Sequence, residues 1–310
     1  MKRLLLNAAM IGVTASTIAR FASAAEFHVA PNGSDTHSGT EASPFASLEK
    51  ARDAARATPG ADTILLHGGT YWMEKPLVLT PADSGLTLKA VPGEKPVLSG
   101  GRRITGWQQL ADNTPGVASS AKGKIWVADI PKGWLFHYLF IDGQPVPRAK
   151  LHNTHWRKWA TNFSFSPPTP NGQTVTFKDK SILKNIPGNG DVEMVCIMAQ
   201  YGVLGNGVLK DIDVEAGTGS WNSKQTFLGW GRRRPYHFTL ENALPFIDQP
   251  GEWAVDSAQG KVYCFAETGD LKQADVIGAK IYRLLDFQGA PFTCGLPIGA
   301  EQDSGLRINL

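Results

Sequence analysis

Two stretches of the sequence repeat the same arrangement of short apolar strands, and this repeat constrains the fold more than any other feature. Residues 63–68 and 85–90 align at a spacing of 22 residues, which matches Ile64 to Leu86 and Leu66 to Leu88. A second short strand follows each of them, with a spacing of 20 residues between the two. Two short strands per unit, separated by Gly and Pro turns, are typical of one rung of a parallel β-solenoid. The repeat therefore predicts stacked parallel strands, although an antiparallel meander also produces such a pattern.

One amphipathic helix is predicted ahead of this repeat, at about residues 47–57. Ser47 is a start signal, Leu48, Ala51 and Ala55 fall on one face, and Pro59-Gly60 ends the pattern. Because the rest of the chain indicates strands, the apolar face of the helix needs a sheet to cover. We expect this helix to cap one end of the solenoid and to protect its exposed edge.

After about residue 108 the spacing of 22 is lost and hairpin signals replace it. We expect strands at 124–130, 138–141, 174–177, 193–198 and 210–214, and a hairpin that joins 252–255 to 261–265. These strands predict an antiparallel, sandwich-like module inserted into the solenoid.

Rung-like sequence resumes at 281–289, whereas 290–310 shows no alternation of apolar and polar residues. A solenoid needs at least about three stacked rungs to be stable, so we expect a truncated chain that stops where most of the core begins. The expected division is a signal peptide at 1–24, a cap and first rungs at 25–107, a β-rich insert at 108–275, and solenoid re-entry with an irregular tail at 276–310.

The first 24 residues predict export. Lys2 and Arg3 precede an apolar run, and Ala22-Ser23-Ala24 is a small-x-small cleavage pattern. A membrane anchor is disfavoured because polar residues interrupt the run, which ends at Arg20. The mature protein is expected to be secreted or periplasmic and not to be membrane-bound after cleavage.

The charge balance excludes one class of partner. The chain has 31 Lys and Arg against 28 Asp and Glu, and the three basic residues in the leader account for the whole difference. A mature protein that is neutral on balance has no bulk electrostatic reason to bind nucleic acid or an anionic membrane.

Several separated motifs, in their order, resemble a known group of proteins. They read FHVAPNGSD at 27–35, SPFASLEKARDA at 43–54, LSGGRRITGW at 98–107, LFIDGQPVPRA at 139–149 and LENALPFIDQPGEW at 240–253. These motifs resemble the N-terminal portion of secreted right-handed parallel β-helix proteins of the pectin-lyase-like superfamily. More narrowly, they are similar to the β-helix glycoside hydrolases of bacteria that degrade plant polysaccharides. The resemblance implies an all-β fold that starts as a right-handed parallel β-helix with an N-terminal capping helix.

The same resemblance implies an exported glycoside hydrolase that acts on a plant-type polysaccharide or oligosaccharide. Such enzymes need two carboxyl groups about the scissile bond. In relatives these carboxyl groups lie on later rungs, beyond residue 310, so no catalytic residue can be assigned and the 310-residue product is expected to be inactive alone. The alternatives are a polysaccharide lyase or uronan epimerase on the same fold, and a non-catalytic glycan-binding surface protein. The sequence leaves the oligomeric state open.

A polar and aromatic cluster begins at the end of the motif at 139–149 and is the candidate sugar-binding site. It consists of Arg148, His152, Asn153, His155 and Trp156. Aromatic faces pack on the C–H surfaces of sugars, and planar donors bind their hydroxyl groups. The plain alternative is a solvated loop. No nearby Cys, Asp or Glu completes a metal site with the two histidines, and no nucleotide-binding motif is present, so neither a metal nor a cofactor is expected.

A second cluster contains Trp221, Trp230 and the run 232–234 of three arginines. Adjacent arginines are suited to an acidic glycan, but they are equally common in exposed loops, where ion pairs contribute little. We therefore expect an exposed loop here.

Four acidic residues are expected to have structural rather than catalytic roles. Asp35, Asp142, Asp256 and Glu252 each fall in a turn, where a carboxylate accepts hydrogen bonds from backbone amides.

Overall fold

The computed structural model describes residues 26–58, 60, 63–151, 163–166, 172–184, 186–198, 204–223, 235–266 and 270–289. These residues form mainly short β-strands, which agrees with the all-β prediction, and most of the strand pairs are antiparallel. The described residues form two compact units. Unit 1 consists of those up to Tyr71, Pro76–Ser99 and those from Leu284 onward, and unit 2 of Trp72–Lys75 and Gly100–Arg283.

Unit 1 contains the predicted helix and the repeated strands. Its elements are β1 (Glu26–Val29), α1 (Leu48–Ala57), β2 (Thr63–Leu66), β3 (Gly69–Trp72, which ends in unit 2), β4 (Leu77–Leu79), a short 3-10 helix (Pro81–Asp83), β5 (Thr87–Ala90), β6 (Pro96–Ser99) and β21 (Leu285–Phe287).

The repeated strands β2 and β5 pair in parallel, and β1 joins them to give the order β1-β2-β5. Their register differs from the predicted one, because Ile64 pairs with Leu88 and Leu66 pairs with Ala90. Successive side chains alternate between the two faces of a strand, so a shift of two residues leaves the same side chains facing the core. The apolar pattern therefore indicated the correct face but not the correct partner.

The predicted pairing of the second repeated strands is wrong. β4 pairs in parallel with β21, and β6 forms a two-stranded sheet with β3. The expected re-entry segment at 281–289 thus supplies the neighbour of β4. Both β4 and β6 are short apolar runs after a proline, and such runs do not encode which strand lies beside them.

The helix α1 begins at the predicted position. The side chain of Ser47 caps it by accepting a hydrogen bond from the amide of Lys50. Leu48, Ala51 and Ala55 are buried, as the spacing predicted. At the other end, Arg56 donates from Nε and Nη2 to the two carboxylate oxygens of Asp83, at 2.7 and 2.6 Å.

Unit 2 contains three antiparallel sheets. In chain order its strands are β7 (Gly101–Ile104), β8 (Gln108–Gln109), β9 (Ile125–Asp129), β10 (Leu139–Ile141), β11 (Gln144–Val146), β12 (Phe163–Phe165), β13 (Gln173–Phe177), β14 (Glu193–Met198), β15 (Leu204–Asp213), β16 (Thr218–Ser223), β17 (Pro235–Glu241), β18 (Trp253–Asp256), β19 (Lys261–Phe265) and β20 (Val276–Ala279). The sheet orders are β11-β10-β20-β7, β12-β13-β16-β15-β14-β17 and β18-β19-β9-β8. Two 3-10 helices lie at Lys180–Leu183 and Leu244–Phe246. The strands expected from hairpin signals are all present.

Two apolar clusters fill unit 2. The first packs against the six-stranded sheet and includes Trp221 and Met194. The second surrounds Trp253, whose ring stacks on Phe136 with centroids 5.1 Å apart. The tryptophans of these clusters are therefore core residues, with Trp221 and Trp253 almost completely buried.

Asn242 links the six-stranded sheet to β18. Its side chain is fully buried, donates to the carbonyls of Asp191 and Val255, and accepts from the amide of Val255. Its backbone lies in the left-handed region, with a φ of 68°. Asparagine tolerates this conformation better than most residues.

No helix among the described residues is long and apolar enough to cross a membrane. The expected signal peptide and residues 290–310 lie outside the part of the chain that the structure describes.

We predict that Asp83→Asn lowers the free energy of unfolding of unit 1 by about 2–3 kcal/mol, because it removes one partner of a largely buried ion pair. Asp53→Asn is the matched control: Asp53 also approaches Arg56, at 3.7 Å, but its side chain is 56% exposed. It should change stability by less than about 0.5 kcal/mol. Urea titrations of both variants measure the difference, and equal losses would contradict the prediction.

The loss in Asp83→Asn should also depend on pH. Burial alone raises the pKa of Asp83, but the hydrogen bond from Arg56 and the amide of Thr80 outweigh burial and hold the pKa below 3.8. A carboxyl with a lowered folded pKa stabilises the fold above its unfolded pKa. The stability difference between wild type and Asp83→Asn should therefore shrink as the pH falls below about 4.

We predict that Asn242→Ala costs about 3 kcal/mol, since it leaves buried backbone groups without partners and places alanine at a positive φ. Asn242→Gly loses the same hydrogen bonds without the conformational cost, so it should be less destabilising by roughly 1 kcal/mol. Urea denaturation of both variants tests this order. An alanine variant as stable as wild type would show that the link is dispensable.

Candidate functional site

Arg148 is the predicted sugar-contact residue whose surroundings the structure describes. His152, Asn153, His155 and Trp156 lie outside the described residues. Arg148 and its neighbours are therefore the candidate site.

An extended segment at 147–151 carries Arg148 between two strands. On one side Arg148 forms a bridge with Trp253 of β18, and on the other Lys150 forms a bridge with Glu241 of β17. Ala149 is completely buried in the first apolar cluster, and the side chains of an extended chain alternate. Arg148 and Lys150 therefore lie on the face opposite this cluster.

Two carboxyl groups occupy the same face. Glu193 begins β14 and pairs directly with Glu241, which ends β17. Their neighbours Met194 and Leu240 are completely buried in the first cluster, so the two glutamates lie on the opposite face of the sheet. Residues directly opposite in an antiparallel pair have Cβ atoms about 4.5–5.5 Å apart.

Glu193 is the centre of a hydrogen-bonded group with Arg148 and His137. Nη1 of Arg148 donates to Oε2 of Glu193, and Nε2 of His137 lies 2.8 Å from Oε1. The side chains of Arg148 and Glu193 are 8% and 12% exposed, whereas that of His137 is 34% exposed. We call Arg148, Lys150, His137, Glu193 and Glu241 the Arg148 cluster.

The surroundings shift the pKa values of the two glutamates in opposite directions. Burial alone raises the pKa of Glu193, but the hydrogen bond from His137 and the charge of Arg148 outweigh burial and lower it. Burial raises the pKa of Glu241, and the charge of Glu193 adds to this effect against the opposing charges of Arg148 and Lys150.

The Arg148 cluster thus sets a carboxylate beside a carboxyl group that holds its proton more tightly. Paired carboxyl groups with separated pKa values are the arrangement that acid-base chemistry uses. A protonated carboxyl and a guanidinium are also planar donors of the kind that bind oxygen-rich ligands. The cluster is therefore suited to binding a polar, oxygen-bearing molecule.

The four acidic turn residues have the structural roles that the sequence predicted. Asp35 accepts from the amides of Ala46 and Ser47, both at 2.9 Å. Asp142 accepts a hydrogen bond from the amide of Asp275, and Asp256 accepts one from the amide of Gln259. Glu252 accepts hydrogen bonds from the amides of Asp248 and Gln249.

Trp221, one member of the second predicted cluster, is a core residue, because its indole is 1% exposed and donates to the carbonyl of Met194. Trp230 and residues 232–234 lie outside the described residues.

Glu193, Glu241, His137 and Lys150 were not predicted from the sequence. A signal was available for the two glutamates, because each lies in a strand directly beside a buried apolar residue and not in a turn. A lone carboxyl in such a strand must either face solvent or find a partner. The sequence contained no indication that two of them are opposite each other.

The chain is similar in sequence to a pectate lyase and in structure to a glycoside hydrolase. No family model matches the chain. The pectate lyase PEL9 of Emericella nidulans is 29% identical over 147 residues, which cover 46% of this chain and 34% of that protein. A solved structure described as a glycoside hydrolase matches with a TM-score of 0.61 and 25% identity, over 85% of this chain and 47% of that one. The complex of XylC with xylose matches 82% of this chain and 31% of that one at 18% identity, with a TM-score of only 0.37.

The chain therefore spans less than half the length of each protein that it matches. Its similarity to a pectate lyase and a glycoside hydrolase agrees with the expected carbohydrate-active class.

We predict opposite effects for the two glutamates. Glu193→Gln should cost about 3–5 kcal/mol near neutral pH because Arg148 stays buried without its counter-ion. Glu241→Gln should be neutral or stabilising by up to about 1 kcal/mol, because it removes a carboxyl that burial makes costly to ionise.

The dependence on pH separates the two effects further. Glu193 has a lowered pKa in the folded chain, so it stabilises the fold above about pH 4.5, and this stabilisation is lost as the pH falls. Glu241 has a raised pKa in the folded chain, so the stability of the fold decreases as the pH rises above about 4.5. Denaturant titrations across pH measure both slopes. Equal pH profiles for the two variants would contradict the assignment.

Proposed function

We propose that this chain is the N-terminal part of an exported glycoside hydrolase that acts on a plant-type polysaccharide or oligosaccharide. The observation that carries the proposal is the match to a glycoside hydrolase structure over 85% of this chain. The catalytic carboxyl groups of the complete enzyme are not assigned to residues of this chain.

A right-handed parallel β-helix is the proposed scaffold. The parallel order β1-β2-β5 supports it, as does the parallel pairing of β4 with β21. β4 and β21 are far apart in sequence, and most of the residues between them belong to unit 2. This arrangement is consistent with a module inserted between rungs, and we retain the sequence-based division at 25–107, 108–275 and 276–310. The signal peptide at 1–24 is the basis for proposing export.

The proposed glycan contacts begin at Arg148. The chain passes from Arg148 through Leu151 directly into His152, Asn153, His155 and Trp156. We propose that these side chains contact sugar together with the Arg148 cluster. The buried Arg148 is fixed by Glu193, and a fixed donor loses little conformational freedom on binding.

A polysaccharide lyase or uronan epimerase is the second candidate, because one of the matches is a pectate lyase. Such chemistry needs cations that neutralise a uronate carboxylate and a base that removes the proton at C5. Arg148 and Lys150 lie on one face beside Glu241, and this arrangement supplies the two cations that such chemistry needs.

The two candidates give different products, which an assay of the complete gene product distinguishes. We expect release of nitrophenol from aryl glycosides and new reducing ends from plant polysaccharides, without the ultraviolet absorbance of unsaturated uronates. Unsaturated products from pectate would instead support the lyase. Glycan affinity without turnover of any substrate would contradict both enzyme proposals and favour a glycan-binding protein.

A further inference from the structure

One hydrogen-bonding edge of Arg148 has no protein partner among the described residues. Nη1 is used by Glu193, but Nε and Nη2 are buried and make no hydrogen bond within the part of the chain that the structure describes. The side chain as a whole is only 8% exposed. A buried donor without a partner costs about 1–3 kcal/mol, so two such donors on one guanidinium need an explanation.

Elsewhere in this chain the same edge of arginine binds a carboxylate. Nε and Nη2 of Arg56 bind the two oxygens of Asp83. Nε and Nη2 of Arg103 bind Asp275 at 2.6 and 3.3 Å. The two N–H groups are parallel and match the spacing of carboxylate oxygens, which makes this edge selective for planar anions.

The charges around Arg148 leave room for one more anion. Glu193 balances one of the two cations, Arg148 and Lys150. Glu241, directly opposite Glu193, has a pKa that burial raises, so it keeps its proton to a higher pH than an exposed glutamate does. While Glu241 keeps its proton, the Arg148 cluster carries a net positive charge.

We propose that the Nε–Nη2 edge of Arg148 binds the carboxylate of a hexuronate residue in an acidic glycan. The sugar part of this assignment rests on the proposed carbohydrate function, whereas the carboxylate part rests on the geometry of Arg148. Both donor atoms are closed to solvent in the free chain, so a neighbouring side chain moves when the ligand enters.

The affinity depends on the protonation of Glu241. The charged and titratable groups around Glu241 are Arg148, Lys150, Glu193 and His137. An ionised Glu241 competes for Arg148 and repels the ligand, so the affinity falls as the pH rises through its pKa. Glu241→Gln removes that competition while keeping a neutral side chain of the same shape.

The test measures binding of D-galacturonate, D-glucuronate, D-galactose, neutral plant oligosaccharides and acetate to the 310-residue chain by calorimetry, at a lower and a higher pH taken from a series between about 4 and about 8. We expect both hexuronates to bind at the lower pH and D-galactose not to bind. Arg148→Lys keeps the charge but loses the paired donors, and should weaken hexuronate binding at least about tenfold. Arg103→Lys is the matched control, since the same edge of Arg103 is already filled by Asp275, and it should leave the affinity unchanged.

Glu241→Gln supplies a readout that does not depend on the folding of an Arg148 variant. It should retain at the higher pH the hexuronate affinity that the wild-type chain loses. Equal affinity for D-galactose and the hexuronates, or full hexuronate affinity in a folded Arg148→Lys variant, would overturn the inference.

Two further outcomes separate this inference from the proposed function. Binding of the neutral oligosaccharides alone would support the carbohydrate function and overturn the carboxylate site. Binding of acetate as tight as that of the hexuronates, with loss of both in Arg148→Lys, would overturn the assignment to a sugar acid and count against the carbohydrate function.

Discussion

The hydrogen bonds that hold the segment 147–151 between β17 and β18 determine where Arg148 and Lys150 lie, next to the glutamates that the pairing of β14 with β17 brings together. The amide of Ala149 donates to Trp253, and the amide of Leu151 donates to Leu240, both at 2.8 Å. Since side chains alternate along an extended chain, this position buries Ala149 in the first apolar cluster and places Arg148 on the opposite, polar face. Asn242 reinforces the same junction from the end of β17.

The ion pair of Arg148 with Glu193 is better explained by function than by stability. Removing two charges from water is expensive, and well-packed apolar residues often replace such pairs without loss. Here the pair also leaves two donors of the guanidinium unused within the described residues and stands beside a carboxyl with a raised pKa. An arrangement that costs stability and holds three polar groups in fixed positions is typical of binding sites.

The helix and the turn acids could be predicted because their causes are local. Ser47 accepts a hydrogen bond from the amide of Lys50, three residues further along the chain, and Asp256 accepts one from the amide of Gln259, also three residues further along. The pairing of β4 with β21 had no such local cause. Arg148 was found from a motif, but Glu193 and Glu241 were missed because their meaning depends on a partner 48 residues away on another strand.

The sequence by itself determined the strand-rich composition, the position of the α-helix α1 and the apolar residues that β2 and β5 bury, because alternation and capping act over a few residues. Only the tertiary structure decided which strands are neighbours. The register of β2 against β5, shifted by two residues, shows why: both registers bury the same face. The same freedom of pairing placed Glu193 opposite Glu241, and the resulting burial and charge gave the two carboxyl groups different pKa values.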